Sequence, residues 1–186
     1  VSLDQLDRLV DRIYEAAAIS EFWPAVLDDI ARFTQSDSAS FHSVRGHTVR
    51  AIGTPAANWL IDEFRPFAHT MVNTRTTRGR GRAEFGFLTD FDLFTPEELA
   101  REPFYRDFLY PRGFGWFAGT TFDVPSGEAI HLGIGRRRER GPFEQKYVTE
   151  LDGLRSHLAR ATLLTARLEM ERAKGMTAAL ELLGLP

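Results

Sequence analysis

Residues Tyr147, Leu151, Leu154, Leu158, Ala161, Thr165 and Leu168 recur at alternating spacings of four and three. That spacing is a heptad-like stripe along one side of a helix. Pro142 suits a first helical position, where a missing amide hydrogen costs nothing, and Glu144 puts negative charge in the first turn. Arg172 and Lys174 fall in the last turn and Gly175 supplies a left-handed stop. The spacing therefore predicts a helix from Gly141 to Gly175, about 50 Å long at about 1.5 Å per residue. It reads either as a core helix or as one whose first half closes the domain while its second half meets a partner. Leu163, Leu164 and Met170 lie off the stripe and favour the second reading.

The rest of the chain alternates between helical and strand periods. Ser2 and Gln5 form a capping box, and Leu3, Leu6, Leu9, Val10 and Ile13 make one apolar face, which predicts a first helix to about Ala18. Ser20 is placed to cap a second helix, with Pro24 in its first turns and Trp23, Val26, Leu27, Ile30 and Phe33 inward. Alternation from Ser38 to Val44, a break at Gly46 and a second run from His47 to Ile52 predict a hairpin. Thr54 and Pro55 open a third helix carrying Trp59, Leu60, Phe64 and Phe67, bent or ended by Pro66. Asn73 to Arg82 is rich in arginine, threonine and glycine and reads as a surface loop. Thr95, Pro96 and Glu98 open a short helix with a capping box, and Pro103 opens another that bears Phe104, Tyr105, Phe108 and Leu109. Phe117 to Val124 and Ala129 to Arg136 alternate around Ser126-Gly127, a second hairpin.

Strands joined by hairpins, with helices before and after, predict an α+β fold built on an antiparallel sheet. In the last strand Ile130, Leu132 and Ile134 share the face expected to meet the terminal helices, and His131, Gly133 and Gly135 share the other. A face of small residues and one histidine leaves a hollow. Opposite it the middle helices could bring Trp59, Phe64, Phe67, Phe104, Tyr105 and Phe108, rings that either wall a pocket for a flat ligand or fill the core.

Composition narrows the function. The chain has 186 residues, 43% of them hydrophobic, enough for one domain with a real core, and 15 phenylalanines. No apolar run approaches the ~20 residues that span a bilayer, so no membrane contact and a soluble, cytoplasmic protein are expected. Lack of cysteine excludes disulfides and thiol chemistry. The net charge of -3 gives no global attraction for nucleic acid. Gly133-Ile134-Gly135 lacks the dinucleotide-fingerprint spacing, and no carboxylate cluster joins His42 and His47, so neither a cofactor nor a metal is expected. Asp90 and Asp92 beside Thr89 read as caps for backbone amides. The serines at 38, 40 and 43 near His42 lack a nucleophile elbow, and the chain is not expected to be an enzyme. Arg75, Arg78, Arg80 and Arg82 read as solvated, with no groove-presenting helix.

Ile13-Tyr14-Glu15-Ala16-Ala17 leading to Phe22-Trp23-Pro24-Ala25-Val26-Leu27, and Phe104-Tyr105-Arg106-Asp107-Phe108-Leu109 before Pro111 and Gly113, resemble the N-terminal sensor region of LuxR-type helix-turn-helix transcriptional regulators. Gly141-Pro142-Phe143, and Leu154-Arg155-Ser156-His157-Leu158-Ala159-Arg160-Ala161, resemble it too; the latter is similar to the family's L-x-P-H-L-x-R-A signature, with Ser156 where proline is usual. The resemblance implies a GAF/PAS-like fold with the N- and C-terminal helices on one face of the sheet and short helices on the other. It also implies a small-molecule input, a homodimer through terminal helices, and a C-terminal DNA-binding domain absent from this chain. Residues 1–175 would then be the sensor and dimerisation domain, and 176–186 the start of a linker, entered at Ala178-Ala179-Leu180-Glu181-Leu182-Leu183. The best-known members bind acyl-homoserine lactones through an aspartate, tryptophans and tyrosines; here Trp59 and Asp62 are close but no tyrosine lies nearby, and no acyl lactone is predicted.

The expected site lies between the small-residue face and the aromatic helices. Ser40, His42, Tyr105, Asp107 and His131 are its candidate polar contacts, and Trp59, Phe64, Phe108 and Trp116 its candidate walls, for a small aromatic or apolar effector. Leu151, Leu154, Leu158, Ala161, Thr165 and Leu168 are the candidate dimerisation residues. The alternative is a scaffold with a filled core that dimerises and orients its neighbours without a ligand.

Overall fold

Two helices start the chain and one long helix closes it, with the sheet between them. In the computed structural model, which describes residues 3–45, 48–79, 81–83, 85–123 and 129–182, α1 (Leu3–Ala18) is followed by a 3₁₀ turn (Ser20–Phe22) and α2 (Trp23–Phe33). β1 (Ser38–Arg45), β2 (Thr48–Gly53) and α3 (Pro55–Phe64) come next, with a 3₁₀ turn (Arg65–Phe67) at the end of α3. The short helix α4 (Thr74–Gly79), strand β3 (Leu88–Thr89), α5 (Asp90–Leu93), α6 (Pro96–Arg101) and a π-helical segment (Phe104–Leu109) make the middle of the chain. β4 (Phe114–Asp123), β5 (Ala129–Arg137) and α7 (Gln145–Leu182) complete it. Expectations at Ser2, Gly46, His47, Arg80, Ser126, Gly127 and Leu183 fall outside the described residues.

The sheet is antiparallel in the order β2-β1-β5-β4-β3. The last two long strands pair as the alternation predicts, and their alternation also assigns the faces. Ala39 and Phe41, Ala118 and Phe122, Leu132 and Ile134 point into one core with Leu9 and Ile13 of α1, Trp23, Val26, Leu27 and Ile30 of α2, and Leu151, Leu154, Leu158 and Ala161 of α7. Each fully buried leucine or isoleucine there contributes about 1.5–3 kcal/mol. The short helices carry a second cluster, built on Leu93, Phe94, Leu99, Phe104, Tyr105, Phe108, Leu109 and Phe114.

Local signals account for most element ends. The Thr54 hydroxyl accepts from the Ala57 amide, and Thr95 and Glu98 cap one another at 3.2 and 2.9 Å. Thr89 and Asp92 do the same for α5. Ser20 does not cap α2. Pro24 must sit in the first turn, which starts the helix at Trp23 and leaves Ser20 one turn too early, in the 3₁₀ segment.

The long helix departs from expectation at both ends. Its entry is fixed by Arg136, whose guanidinium donates to the carbonyls of Pro142 at 2.9 Å and Thr34 at 2.7 Å, so Pro142 stays outside and α7 begins at Gln145. Gly175 does not stop it; the helix runs on to Leu182, about 57 Å in all. Nothing packs on Gly175 to force a left-handed turn, and the residues around it are exposed.

The residues expected to form a dimer seam mostly belong to the chain's own core. Leu151, Leu154, Leu158 and Ala161 are fully buried against α1 and the sheet. Thr165 accepts a 3.2 Å bond from the Trp23 indole, and Leu168 is half-buried. A stripe that its own domain covers has no surface left for a second chain. Among the described residues, the large apolar side chains that α7 exposes are Leu163, Leu164, Met170, Met176 and Leu180.

Of the expected surface loop, Arg82 is exposed as predicted. Thr74 to Gly79 is instead helical, Arg75 is half-buried, and Arg78 lies over Phe94 while pairing with Glu98. Arginine can pack its flat face on rings without giving up in-plane hydrogen bonds, which is why a basic stretch closes the aromatic layer.

Candidate functional site

The sheet face turned away from the terminal helices carries the site. Register places Ser40 beside Gly133 and His42 beside His131, and sets Gly119 and Thr121 of β4 against the same two residues of β5. Glycines on adjacent strands form a floor with no side chains. The hollow expected from Gly133 is therefore there, but the protein fills it. The ring of Phe117 lies on the floor, its Cζ 2.1 Å from where a Cβ of Gly119 would stand and its Cε2 3.3 Å from that of Gly133.

Beside the ring runs a polar row. The Ser40 hydroxyl and His42 Nε2 are hydrogen-bonded at 2.7 Å, and the Thr121 hydroxyl and His131 Nδ1 at 2.9 Å. His42, Thr121 and His131 are half-buried, so the row reaches the surface. Burial, His131 and the charge of Arg75 together lower the pKa of His42 to about 4, which keeps it neutral at pH 7.

Above this face sits the aromatic layer. Phe64 meets Phe104 and Phe108 edge-on at 5.3 and 5.0 Å, and Phe104 stacks on Phe108 at 5.5 Å. A buried carboxylate ties the layer to the sheet: Asp90 accepts from the Tyr105 hydroxyl and, at 2.7 Å, from the amide of Phe117. Burial raises the Asp90 pKa to about 6, against the opposing pull of these donors and of Arg75. Burial also raises the Tyr105 pKa well above its ordinary value. Arg75 packs its guanidinium over Phe117 at 4.5 Å, Phe104 at 4.8 Å and Tyr105 at 5.7 Å.

Of the residues expected at the site, Ser40, His42 and His131 line the sheet face, while Tyr105, Phe64 and Phe108 belong to the aromatic layer. Trp59 does not join them; it is 45% exposed, on the outer side of α3. Asp107 also faces solvent and pairs with Arg106. Trp116 is half-buried against Phe91, and its indole donates to the Arg138 carbonyl at 3.0 Å. The residues that sequence reasoning missed are Arg75, Asp90, Phe117, Gly119 and Thr121. Phase on α3 gave one usable signal: Ala57, Leu60 and Phe64 mark the inner side, and Trp59 falls outside it. A depression of about 610 Å³ opens beside Phe91, Leu93 and Thr95, and none of its lining residues belongs to the sheet face. Among the described residues no group of three potential metal ligands comes together, and no helix is long and apolar enough to cross a membrane.

No family model matches the chain, and no curated protein matches it in sequence. Its architecture does have solved counterparts. The ligand-binding domain of VqsR from Pseudomonas aeruginosa superposes with a TM-score of 0.67 at 11% identity, over 87% of this chain and 96% of that one. CepR2 from Burkholderia cenocepacia, an N-acylhomoserine lactone dependent LuxR family transcription factor, gives 0.63 at 15% identity, over 90% and 97%. The fold is that of LuxR-type ligand-binding domains. GAF3 from Slr1393 of Synechocystis sp. PCC6803, in its photoproduct state, gives 0.52 at 16% identity over 87% and 98%, so the wider GAF-like architecture is shared.

Proposed function

We propose that this chain is the effector-sensing domain of a LuxR-type transcriptional regulator, with residues 1–175 as the sensing unit and 176–186 as the start of a connection to a DNA-binding domain. The observation that carries the reading is the floor of Gly119 and Gly133, covered by the Phe117 ring and bordered by Ser40, His42, Thr121 and His131. A flat apolar body of the ring's size would fit the same bare backbone if the ring turned aside. An effector with a small apolar or aromatic body would take the place of the ring. CepR2, whose name states its lactone dependence, is a case of this fold used to sense a small molecule.

A thermal-shift screen of small aromatic and acyl compounds tests the reading. A ligand present at about 100 times its Kd adds about 2.7 kcal/mol of stability, which for a domain of this size raises Tm by several degrees. The shift should shrink in Thr121→Val, whose methyl removes the hydroxyl without changing shape. A screen in which no compound raises Tm sinks the reading.

A second reading rests on the exposed Leu163, Leu164 and Met170 of α7: a dimerising scaffold that binds no ligand. It is supported by a dimer in light scattering together with no thermal shift, whereas a sensing domain can give both.

A further inference from the structure

Several arginines lie over rings of the aromatic layer, Arg137 and Arg138 covering Phe114 and Tyr110 at its edge. Arg78 covers Phe94 and is paired with Glu98, and Arg112 covers Phe108 and is paired with Glu63. Arg75 covers Phe117, Phe104 and Tyr105, nearest the site, and among the described residues it has no acidic partner in ion-pair contact. Its Nε donates to the Asn73 side chain at 3.1 Å, and its two terminal amino groups have no acceptor among the described residues. We infer that Arg75 is the anchor for a carboxylate on the effector, received by those amino groups while the effector's body lies along the polar row over the glycine floor. The inference rests on the sensing reading above and adds the chemical class of what is sensed.

The geometry favours a carboxylate over a neutral head. Rings on the faces of a guanidinium leave only its edge open, and a planar carboxylate meets that edge with two parallel hydrogen bonds. Asp90 is the competing anion. Its two oxygens are already engaged by the Tyr105 hydroxyl and the Phe117 amide, and it stops short of an ion pair with Arg75. It tempers the positive field at Arg75 without occupying its edge. The same field reaches His42, whose proton affinity it lowers. A carboxylate arriving at Arg75 would reverse that influence.

The test uses cinnamate and octanoate, each against its own primary amide, on the whole chain. Tm and affinity are read for wild type, Arg75→Met, which keeps an unbranched stem against the rings, and Arg75→Lys, which keeps the charge. Wild type is expected to bind at least one carboxylate ten or more times better than its amide. Arg75→Met should bring the two to parity and Arg75→Lys should retain part of the preference. In NMR of ring-labelled histidine, the carboxylate should raise the His42 titration midpoint and the amide should not. Equal binding of acid and amide by wild type overturns the inference and leaves the sensing reading standing. So does an acid preference that survives in Arg75→Met. Binding of none of the four probes also overturns the inference, and the sensing reading falls with it only if the wider screen is empty too.

Discussion

Phe117 rests on Gly119 two positions along its own strand, ring against backbone. A methyl group at 119 would enter the ring and would also stand 2.9 Å from the Leu132 carbonyl. Gly119→Ala is therefore expected to cost about 1–3 kcal/mol, a Tm loss of several degrees by thermal melt. The ring can move but the carbonyl cannot. In a Phe117→Ala background the added cost of Gly119→Ala should therefore shrink without vanishing, and a vanishing cost would show that the ring alone sets it.

Asp90 joins the two layers through one carboxylate. Asp90→Ala leaves the Tyr105 hydroxyl and the Phe117 amide without their acceptor in a buried place, a loss of about 2–5 kcal/mol in urea unfolding. Asp90→Asn keeps one accepting oxygen and should lose less. If alanine and asparagine are equally harmful, the carboxylate's bonds are not what stabilises the contact.

His42 and Asp90 act on stability with opposite signs as pH changes. The folded pKa of His42, about 4, lies below the ordinary 6.5, so the unfolded chain takes up its proton first and stability falls as pH drops from about 6.5 toward 4. Asp90, raised to about 6 from 3.8, binds its proton more readily when folded, so its contribution grows as pH drops through about 6 toward 4. The two offset one another. Stability of wild type minus that of His42→Gln should therefore decline by about 3 kcal/mol between pH 6.5 and 4. A flat difference would mean that His42 protonates as freely in the fold as outside it.

On α7, burial and exposure make contrasting expectations. Leu158→Glu puts a charge into the chain's own core and should unfold the domain, visible as loss of the cooperative melt. Leu163→Glu combined with Leu164→Glu changes only exposed positions and should leave the melt within about 1 kcal/mol while lowering the mass in light scattering if α7 is a dimer contact. A dimer that survives the double change places the contact elsewhere.

The layout of this fold was legible because each element buries one side. The period of three and four on α7 and the alternation on β5 follow from that alone, and both faces of β5 are assigned correctly by it. Which surface covers the α7 stripe was not legible, since the same apolar pattern serves a core or a partner helix. Arg75 was read as solvated and Asp90 as a cap for backbone amides because they sit in polar stretches. Their burial comes from Tyr105 and Phe117, which lie far along the chain and come close only when the sheet forms. Gly133 announced the hollow, but that Phe117 fills it depends on a rotamer, which spacing does not encode.

The far turns of α7 have a consequence for solution behaviour. From Glu169 to Thr177 every residue is exposed, and among the described residues the last tie to α1 is the Arg172 bond to the Ala18 carbonyl. A free helical stretch of that length, with Gly175 in it, melts readily in water unless something lies alongside it. If a second copy lies there, the 222 nm helical signal should strengthen with protein concentration, so that the tip of the molecule acts as its own gauge of company.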